Sequence, residues 1–159
     1  MRIKIICVGK IREKYLKDGI DEYAKRLSRF CTLDICELPD VKIPDKASKA
    51  QCDAIKREEG EAILKSISKD SYVISLCIEG KTLSSKELAL KISDITLSGK
   101  SNIDFIIGGS LGLCDEVKKK SDLKISFSAF TFPHQLMRLI LTEQIYRSFK
   151  INFNEEYHK

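Results

Sequence analysis

The chain has 159 residues, of which 43% are hydrophobic and 32% are charged, and this balance is typical of a folded globular protein and excludes a disordered one. No apolar run approaches the roughly 20 residues that a membrane-spanning helix needs, and the chain starts on a strand-like segment without a leader, so we expect a cytoplasmic protein with no membrane partner. The formal net charge of +5 permits an anionic partner such as RNA, but no nucleic-acid-binding module is recognisable.

Strand-like and helix-like patterns alternate along the chain. In chain order they predict a strand over Arg2–Val8, a helix from after Gly9 to about Ser28, a strand over Thr32–Leu38, a loop over Pro39–Pro44, a helix from Ser48 to Ile67, a strand over Tyr72–Ile78, a helix from Ser84 to near Gly99, strands over Ile103–Ile107 and Leu123–Phe127, and a helix from Pro133 to about Phe149. Ser84 and Glu87 have the spacing of a capping box. The alternation favours one α/β domain, residues 1–159, with a mostly parallel sheet and helices on both faces.

The six cysteines are scattered along the chain and show neither a CxxC pair nor a Cys/His spacing typical of a metal site. They are Cys7, Cys31, Cys36, Cys52, Cys77 and Cys114. Free cysteine is among the most frequently buried residue types, and a reducing compartment keeps it as a thiol. We therefore expect small buried hydrophobic side chains and no structural metal.

A ligand site is predicted where the parallel strands end, because ligands bind beyond the carboxyl ends of the strands in such sheets. This rule selects the residues after Ile78, Ile107 and Phe127. Gly108 and Gly109 follow a buried strand directly, and glycine there lets a ligand approach the main chain closely. The turn lacks the GxGxxG spacing and an acidic partner about 20 residues on, which disfavours a nicotinamide-dependent oxidoreductase. A plain tight turn and a ligand loop remain alternatives.

The segment Ser126–Thr131 is a second candidate ligand loop. Its two aromatic side chains could border a flat base, while its hydroxyl and backbone N–H groups could hold polar atoms. Thr131, close to Pro133, is also predicted to cap the final helix. Capping and ligand binding are compatible roles, so the two interpretations do not compete.

The final helix and the tail carry the charged candidates. His134 with Arg138, and Glu143 with Arg147, are spaced i, i+4, so each pair shares a helix face. The rest of the helix is apolar enough to meet the sheet on one side and a second copy of the protein on the other. Spacing alone favours a weak surface ion pair for Glu143 and Arg147. The tail 157–159 is either frayed or functional, since its histidine titrates near neutrality and its tyrosine and lysine suit a base and a phosphate.

Motifs along the whole chain resemble the bacterial ribosomal RNA large-subunit methyltransferase H family, a minimal group within the SPOUT class of methyltransferases. The motifs are Val8–Lys10, Ile107–Ser110, Ser126–Ser128, Thr131–Arg138, Glu143–Arg147 and Tyr157–Lys159. The resemblance implies an α/β fold with a C-terminal trefoil knot, a homodimer and S-adenosyl-L-methionine as methyl donor. It also implies methylation of N3 of a pseudouridine in 23S rRNA on the assembled 70S ribosome.

The resemblance also implies which residues form the site. The cofactor residues would be Leu76, Gly108, Phe127, Ser128, Ala129, Phe130, Thr131 and Phe132. The substrate side would be Glu143, Arg147, Tyr157, His158 and Lys159. We expect His158 to act as base or orienting group, Arg147 and Lys159 to hold phosphate or stabilise the developing anion, and Tyr157 to stack on the base. The alternative is a non-catalytic ribosome-associated protein that retains the cofactor pocket.

Overall fold

A computed structural model describes residues 1–157, which form five strands and five helices. The strands are β1 (Arg2–Val8), β2 (Thr32–Leu38), β3 (Tyr72–Thr82), β4 (Asn102–Ile107) and β5 (Leu123–Ser126). The helices are α1 (Lys14–Leu27), α2 (Lys49–Ser66), α3 (Ser85–Leu97), α4 (Asp115–Lys120) and α5 (His134–Asn152). All five predicted strands and all four predicted helices are confirmed, and so is the capping box of Ser84 and Glu87.

The strands form one sheet in the order β2-β1-β4-β3-β5, and every neighbouring pair is parallel. The carboxyl ends of β1, β4, β3 and β5 therefore lie along one edge of the sheet. In the register of β1 and β4, Cys7 is opposite Ile107, so the loops that follow these two strands start side by side.

Helices cover both faces of the sheet, as the sequence predicts. Alternate residues of β1 belong to different cores, since successive side chains of a strand point to opposite faces. Ile3 and Ile5 pack in the core beneath α1, α3 and α5, while Ile6 and Val8 pack in the core beneath α2 and α4. No helix within residues 1–157 has the length and apolar character needed to cross a bilayer.

Two elements differ from the sequence-based expectation. Helix α4 was not predicted, because its six residues carry a single buried apolar side chain, Val117, and show no helical repeat. Strand β3 extends to Thr82, beyond the predicted end at Ile78, and its pairing with β5 is interrupted between Leu76 and Lys81. Ile78 lies in this irregular stretch and outside the core, and its side chain is 72% exposed.

The cysteines are free thiols, but only part of the burial prediction is correct. Cys7, Cys31 and Cys114 are buried, whereas Cys36, Cys52 and Cys77 are half-buried. Cys36 lies on the edge strand β2 and Cys77 lies where β3 leaves the core, so neither is covered on both faces. Burial raises the pKa of Cys7 to about 12 and that of Cys31 to about 11, so both remain protonated near neutral pH.

Candidate functional site

A cleft of about 730 Å³ lies at the carboxyl edge of the sheet, where the loops after β3, β4 and β5 meet the first turns of α5. This is the edge that the sequence predicts. The cleft is lined by Lys56, Leu76–Glu79, Ile107–Leu113, Lys118, Ile125–Ser128, Phe130–His134 and Met137. Its volume falls in the range of about 300–1,000 Å³ that is usual for small-molecule and cofactor sites.

Gly108 forms part of the cleft wall and is fixed by close contacts. A Cβ at this position would lie 2.9 Å from Leu113 Cδ2 and 3.0 Å from the carbonyl carbon of Gly112. The loop folds back on itself, since the Gly112 N–H donates to the Gly109 carbonyl at 3.0 Å. A side chain at position 108 would therefore disturb the loop, and the backbone itself forms the surface that a ligand would meet.

The segment between β5 and α5 forms the opposite wall. Its start is a tight turn, because the Phe130 N–H donates to Ser128 Oγ at 3.0 Å and Ser126 Oγ donates to the Ser128 carbonyl at 3.2 Å. Phe127 and Phe132 are half-buried, whereas Phe130 is 80% exposed at the rim. Such an arrangement presents aromatic faces and hydroxyls to the same cavity.

Two expectations for this segment are not met. Ala129 is exposed and does not line the cleft, unlike the other seven predicted cofactor residues. Thr131 does not cap α5: the N-cap residue is Pro133, and no side chain caps the helix in the described structure. The N–H groups of the first turn of α5 therefore have no side-chain cap within residues 1–157.

Helix α5 supplies cleft residues to which sequence reasoning gave no role. His134 and Met137 line the cleft from the first turn of the helix. Burial and the positive charge of Arg138 lower the pKa of His134, and these two effects outweigh a smaller opposing effect of Asp40. The imidazole is therefore neutral at neutral pH. The sequence does contain a signal for His134, because this residue begins the helix that directly follows the predicted ligand loop.

Glu143, Arg147 and Tyr157 form a second group. Arg147 Nη2 contacts Glu143 Oε1 at 2.5 Å, and the Tyr157 hydroxyl donates to the same oxygen at 3.0 Å. The Arg147 guanidinium lies 4.7 Å from the centre of the Tyr157 ring. The two charged side chains are only 17% and 24% exposed, so the simple surface ion pair favoured by their spacing is wrong.

Tyr157 is held against the body of the protein by further aromatic contacts. Its hydroxyl lies 3.3 Å from that of Tyr23, and its ring meets Tyr146 edge-on at a centroid distance of 4.9 Å. Burial, then the hydrogen bonds with Tyr23 and Glu143, raise the pKa of the Tyr157 phenol. The phenol is therefore neutral and acts as a hydrogen-bond donor.

The predicted site residues thus fall into two places. Seven of the eight predicted cofactor residues line the cleft. Glu143 and Arg147, farther along α5, cluster with Tyr157 of the tail, and none of the three lines the cleft. His158, the predicted base, and Lys159 lie outside the described residues. The geometry joins the tail to α5 but does not bring Tyr157 into the cleft of its own chain.

Arg138 is a buried charge on α5, one residue beyond Met137, which lines the cleft. Its side chain is fully buried and donates through Nη2 to the carbonyls of Val8 and Gly9, at 2.7 Å each. Nη1 makes an ion pair with Glu37 Oε1 at 2.8 Å. The i, i+4 spacing correctly predicts that Arg138 and His134 share a helix face. Spacing cannot predict the partners of Arg138, because they lie on or directly after β1 and on β2.

Comparison with known proteins assigns the family. Residues 1–158 match the family model described as "Predicted SPOUT methyltransferase". The chain belongs to the SPOUT methyltransferase family. It is therefore an enzyme that uses a methyl-donor cofactor, and the cleft described above is the candidate donor site of this SPOUT methyltransferase.

Named relatives of the SPOUT methyltransferase match it end to end. Ribosomal RNA large subunit methyltransferase H of Clostridioides difficile (strain 630) is 57% identical over 159 residues, and that of Clostridium novyi (strain NT) is 58% identical over 159 residues, with 100% of both chains covered in each case. A solved structure of a "probable methylase family protein" from Haemophilus influenzae Rd KW20 shares the fold, with a TM-score of 0.52, 17% identity, and coverage of 99% of this chain and 70% of that chain.

The SPOUT methyltransferase shows no metal centre in the part of the chain that the structure describes. Within residues 1–157, no three His, Cys, Asp or Glu side chains converge in a way that could hold a metal ion. The cations that line the cleft are paired instead. Lys118 contacts Glu79 at 2.5 Å and Lys56 contacts Asp53 at 3.2 Å.

Proposed function

We propose that this enzyme transfers a methyl group from S-adenosyl-L-methionine to N3 of a pseudouridine in 23S rRNA, and that it acts on the assembled 70S ribosome in the cytoplasm. The observation that carries the proposal is the 57–58% identity, over the full length of both chains, to relatives named Ribosomal RNA large subunit methyltransferase H. The single domain over residues 1–159 and the C-terminal trefoil knot belong to the same proposal.

The cleft fits the proposed donor in size and chemistry. A cavity of about 730 Å³ can enclose a nucleoside with an amino-acid arm. The backbone at Gly108 offers N–H and C=O groups at close range, and Phe127 and Phe132 offer apolar faces to a flat base. The first turn of α5, which no side chain caps in the described structure, offers N–H groups and a partial positive charge to a carboxylate.

Positioning is the main contribution that we propose for the protein. When bound, the donor supplies a methyl group that is already activated by a sulfonium. Holding two reactants in line can contribute about 7–11 kcal/mol, which leaves one task for side chains, removal of the N3 proton. We assign that proton to His158, because a base works best with a pKa near the working pH.

The cluster of Glu143, Arg147 and Tyr157 is proposed to serve the RNA side of the site. Glu143 fixes both partners through one carboxylate oxygen, so Arg147 and Tyr157 are oriented together. Because this cluster does not line the cleft of its own chain, the site requires either movement of the tail or a second copy of the protein. We propose a homodimer, which would also cover the half-exposed apolar Leu136 and Ile140 on α5.

The decisive experiment is radiolabelled methyl transfer to 70S ribosomes that lack the modification, with free 23S rRNA as the comparison substrate. We expect transfer to ribosomes and little to free rRNA. Calorimetric binding of S-adenosyl-L-methionine without transfer to either substrate would support the non-catalytic alternative instead.

We predict that His158→Ala lowers kcat by about 10²–10⁴-fold, the usual contribution of a general base, while donor affinity stays within about twofold. The measurement is single-turnover methyl transfer together with donor calorimetry. Glu156→Ala, an exposed change in the same tail, is the control and should keep wild-type turnover. Unchanged turnover in His158→Ala would remove this residue from the mechanism.

A further inference from the structure

We propose that the segment Lys10–Lys17, here called the basic segment, binds the phosphate backbone of the RNA substrate through Lys10 and Arg12. The inference rests on the proposed function, because it assigns a surface to that substrate. It is carried by three observations: exposed cations that have no partner within residues 1–157, a backbone held by hydrogen bonds, and a position at the border of the cleft.

The charge of the basic segment is available for a partner. Lys10, Arg12, Lys14 and Lys17 are exposed, and Lys14 is engaged with Asp18. The side chains of Lys10 and Arg12 make no hydrogen bond, ion pair or ring contact with any of residues 1–157.

The cations that line the cleft behave differently. Lys118 is paired with Glu79 and Lys56 with Asp53, so their charge is already balanced. A cation that neutralises a phosphate releases a condensed counterion, and a lysine with a carboxylate partner would first have to give up that ion pair. Lys10 and Arg12, beside the cleft, have no such ion pair within residues 1–157.

The backbone that carries these two side chains is fixed at several points. Gly9 turns the chain out of β1 with φ +85°, and Arg138 holds the carbonyls of Val8 and Gly9. The Ile11 N–H donates to Glu37 Oε1 at 2.9 Å, and the Arg12 N–H donates to Gln135 Oε1 at 2.9 Å. A fixed backbone lowers the entropy cost of binding, since only side chains must be ordered.

The basic segment starts next to the cleft. A Cβ at Gly9 would lie 3.4 Å from Nε2 of His134, which lines the cleft. A Cβ at Gly109, in the loop after β4, would lie 3.2 Å from Val8 Cγ1. A phosphate held by Lys10 or Arg12 would therefore belong to nucleotides that flank the base presented to the cleft.

An exposed aromatic side chain lies within the same segment. Tyr15 is 68% exposed, so its ring is accessible to a stacking partner. Cationic side chains interleaved with aromatic ones suit a single-stranded nucleic acid, because the cations follow the backbone and a ring can stack on a base. RNA fits this combination better than a folded acidic protein does.

The test compares two double variants of equal charge change. Lys10→Gln/Arg12→Gln removes the proposed phosphate contacts. Lys65→Gln/Lys69→Gln is the control, because both lysines are exposed, make no ion pair within residues 1–157, and lie at the amino edge of the sheet, away from the cleft. Methyl-transfer kinetics on 70S ribosomes are measured at several salt concentrations, with donor calorimetry alongside.

We expect Lys10→Gln/Arg12→Gln to raise KM for ribosomes while kcat and donor affinity stay close to wild type. Two lost phosphate contacts reduce the slope of log affinity against log salt by about 2, so the ratio of variant to wild-type KM should fall about tenfold between about 50 and about 200 mM salt. The control should follow the wild-type curve.

Equal KM and equal salt slopes in the two variants would overturn the inference while leaving the proposed function intact. An effect confined to kcat would also overturn it, because phosphate binding acts on association of the substrate. If the wild-type enzyme itself transfers no methyl group to ribosomes, the proposed function fails, and that result is distinguishable from both.

Discussion

Arg138 ties three separate pieces of the chain together through one buried guanidinium. It serves two backbone carbonyls at the end of β1 and the carboxylate of Glu37 on β2, while its own position is set by α5. Its Nε has no hydrogen-bond partner within the described structure, which is a rare state for a buried donor. The planar guanidinium of arginine can donate to all of these acceptors at once, whereas the compact ammonium of a lysine cannot.

We predict that Arg138→Met lowers the free energy of unfolding by about 3–5 kcal/mol, because it leaves the Glu37 carboxylate and two backbone carbonyls without their donor. Urea unfolding followed by circular dichroism measures the change. Arg138→Lys should lose less, since an ammonium can retain one or two of the bonds. A loss below about 1 kcal/mol in Arg138→Met would show that water replaces the guanidinium without cost.

At the scale of elements, the loop after β4 owes its shape to how closely it passes itself and its neighbours. Gly108 sits against Gly112 and Leu113 on one side, and Gly109 sits against Val8 on the other. The loop is therefore positioned by its own residues Gly112 and Leu113, by β1 and by Glu59 of α2, which would lie 2.8 Å from a Cβ at Gly109. Such preorganisation reduces the entropy that donor binding must overcome.

We predict that Gly108→Ala weakens donor binding by about tenfold, or about 1.4 kcal/mol, because the new methyl group displaces the backbone at Gly112. Donor calorimetry measures the effect. The control is Gly19→Ala, the same substitution in α1, where the methyl would meet only the flexible side chain of Leu139. Wild-type donor affinity in Gly108→Ala would show that the loop backbone does not contact the donor.

At the scale of the whole molecule, Glu59 makes stability depend on pH. It is 6% exposed on α2, and burial, with smaller effects of Asp40 and Glu58, raises its pKa despite a hydrogen bond from the Val41 N–H. The folded protein therefore holds this proton more tightly than the unfolded chain does. The contribution of Glu59 to stability is fully present below the unfolded pKa of about 4.3 and is lost as pH rises through the folded pKa of this carboxyl.

We predict that Glu59→Gln raises Tm at pH above the folded pKa of Glu59 by about 2–4 °C and has no effect well below the unfolded value, where the wild-type carboxyl is already neutral. Thermal unfolding across a pH series measures the difference. Glu61→Gln, an exposed change on the same helix, should show no such trend. A stabilisation that is largest at low pH would contradict the assigned direction.

The sequence predicts what depends on neighbouring residues and misses what depends on distant ones. Strand β4 is a local pattern and is confirmed, and the glycine turn after it lines the cleft, while its role as a ligand loop stays a prediction. The partners of Arg138 lie 101 and 130 positions away, and those of Tyr157 include a residue 134 positions away, so no spacing rule reveals them. Helix α4 was missed for a different reason, since it is too short to show a repeat.

The first turn of helix α5 lines the cleft, and its second turn contacts the end of β1. Its middle carries Glu143 and Arg147, which contact Tyr157 of the tail. One residue inserted between Met137 and Glu143 would rotate everything after it by about 100°, since a turn takes 3.6 residues. Glu143 and Arg147 would then face a different neighbour, while His134 kept its place. The residue spacing along α5 therefore fixes the position of the cluster of Glu143, Arg147 and Tyr157 relative to the cleft. We expect natural variation in chain length to occur elsewhere, as in the exposed stretch 42–46.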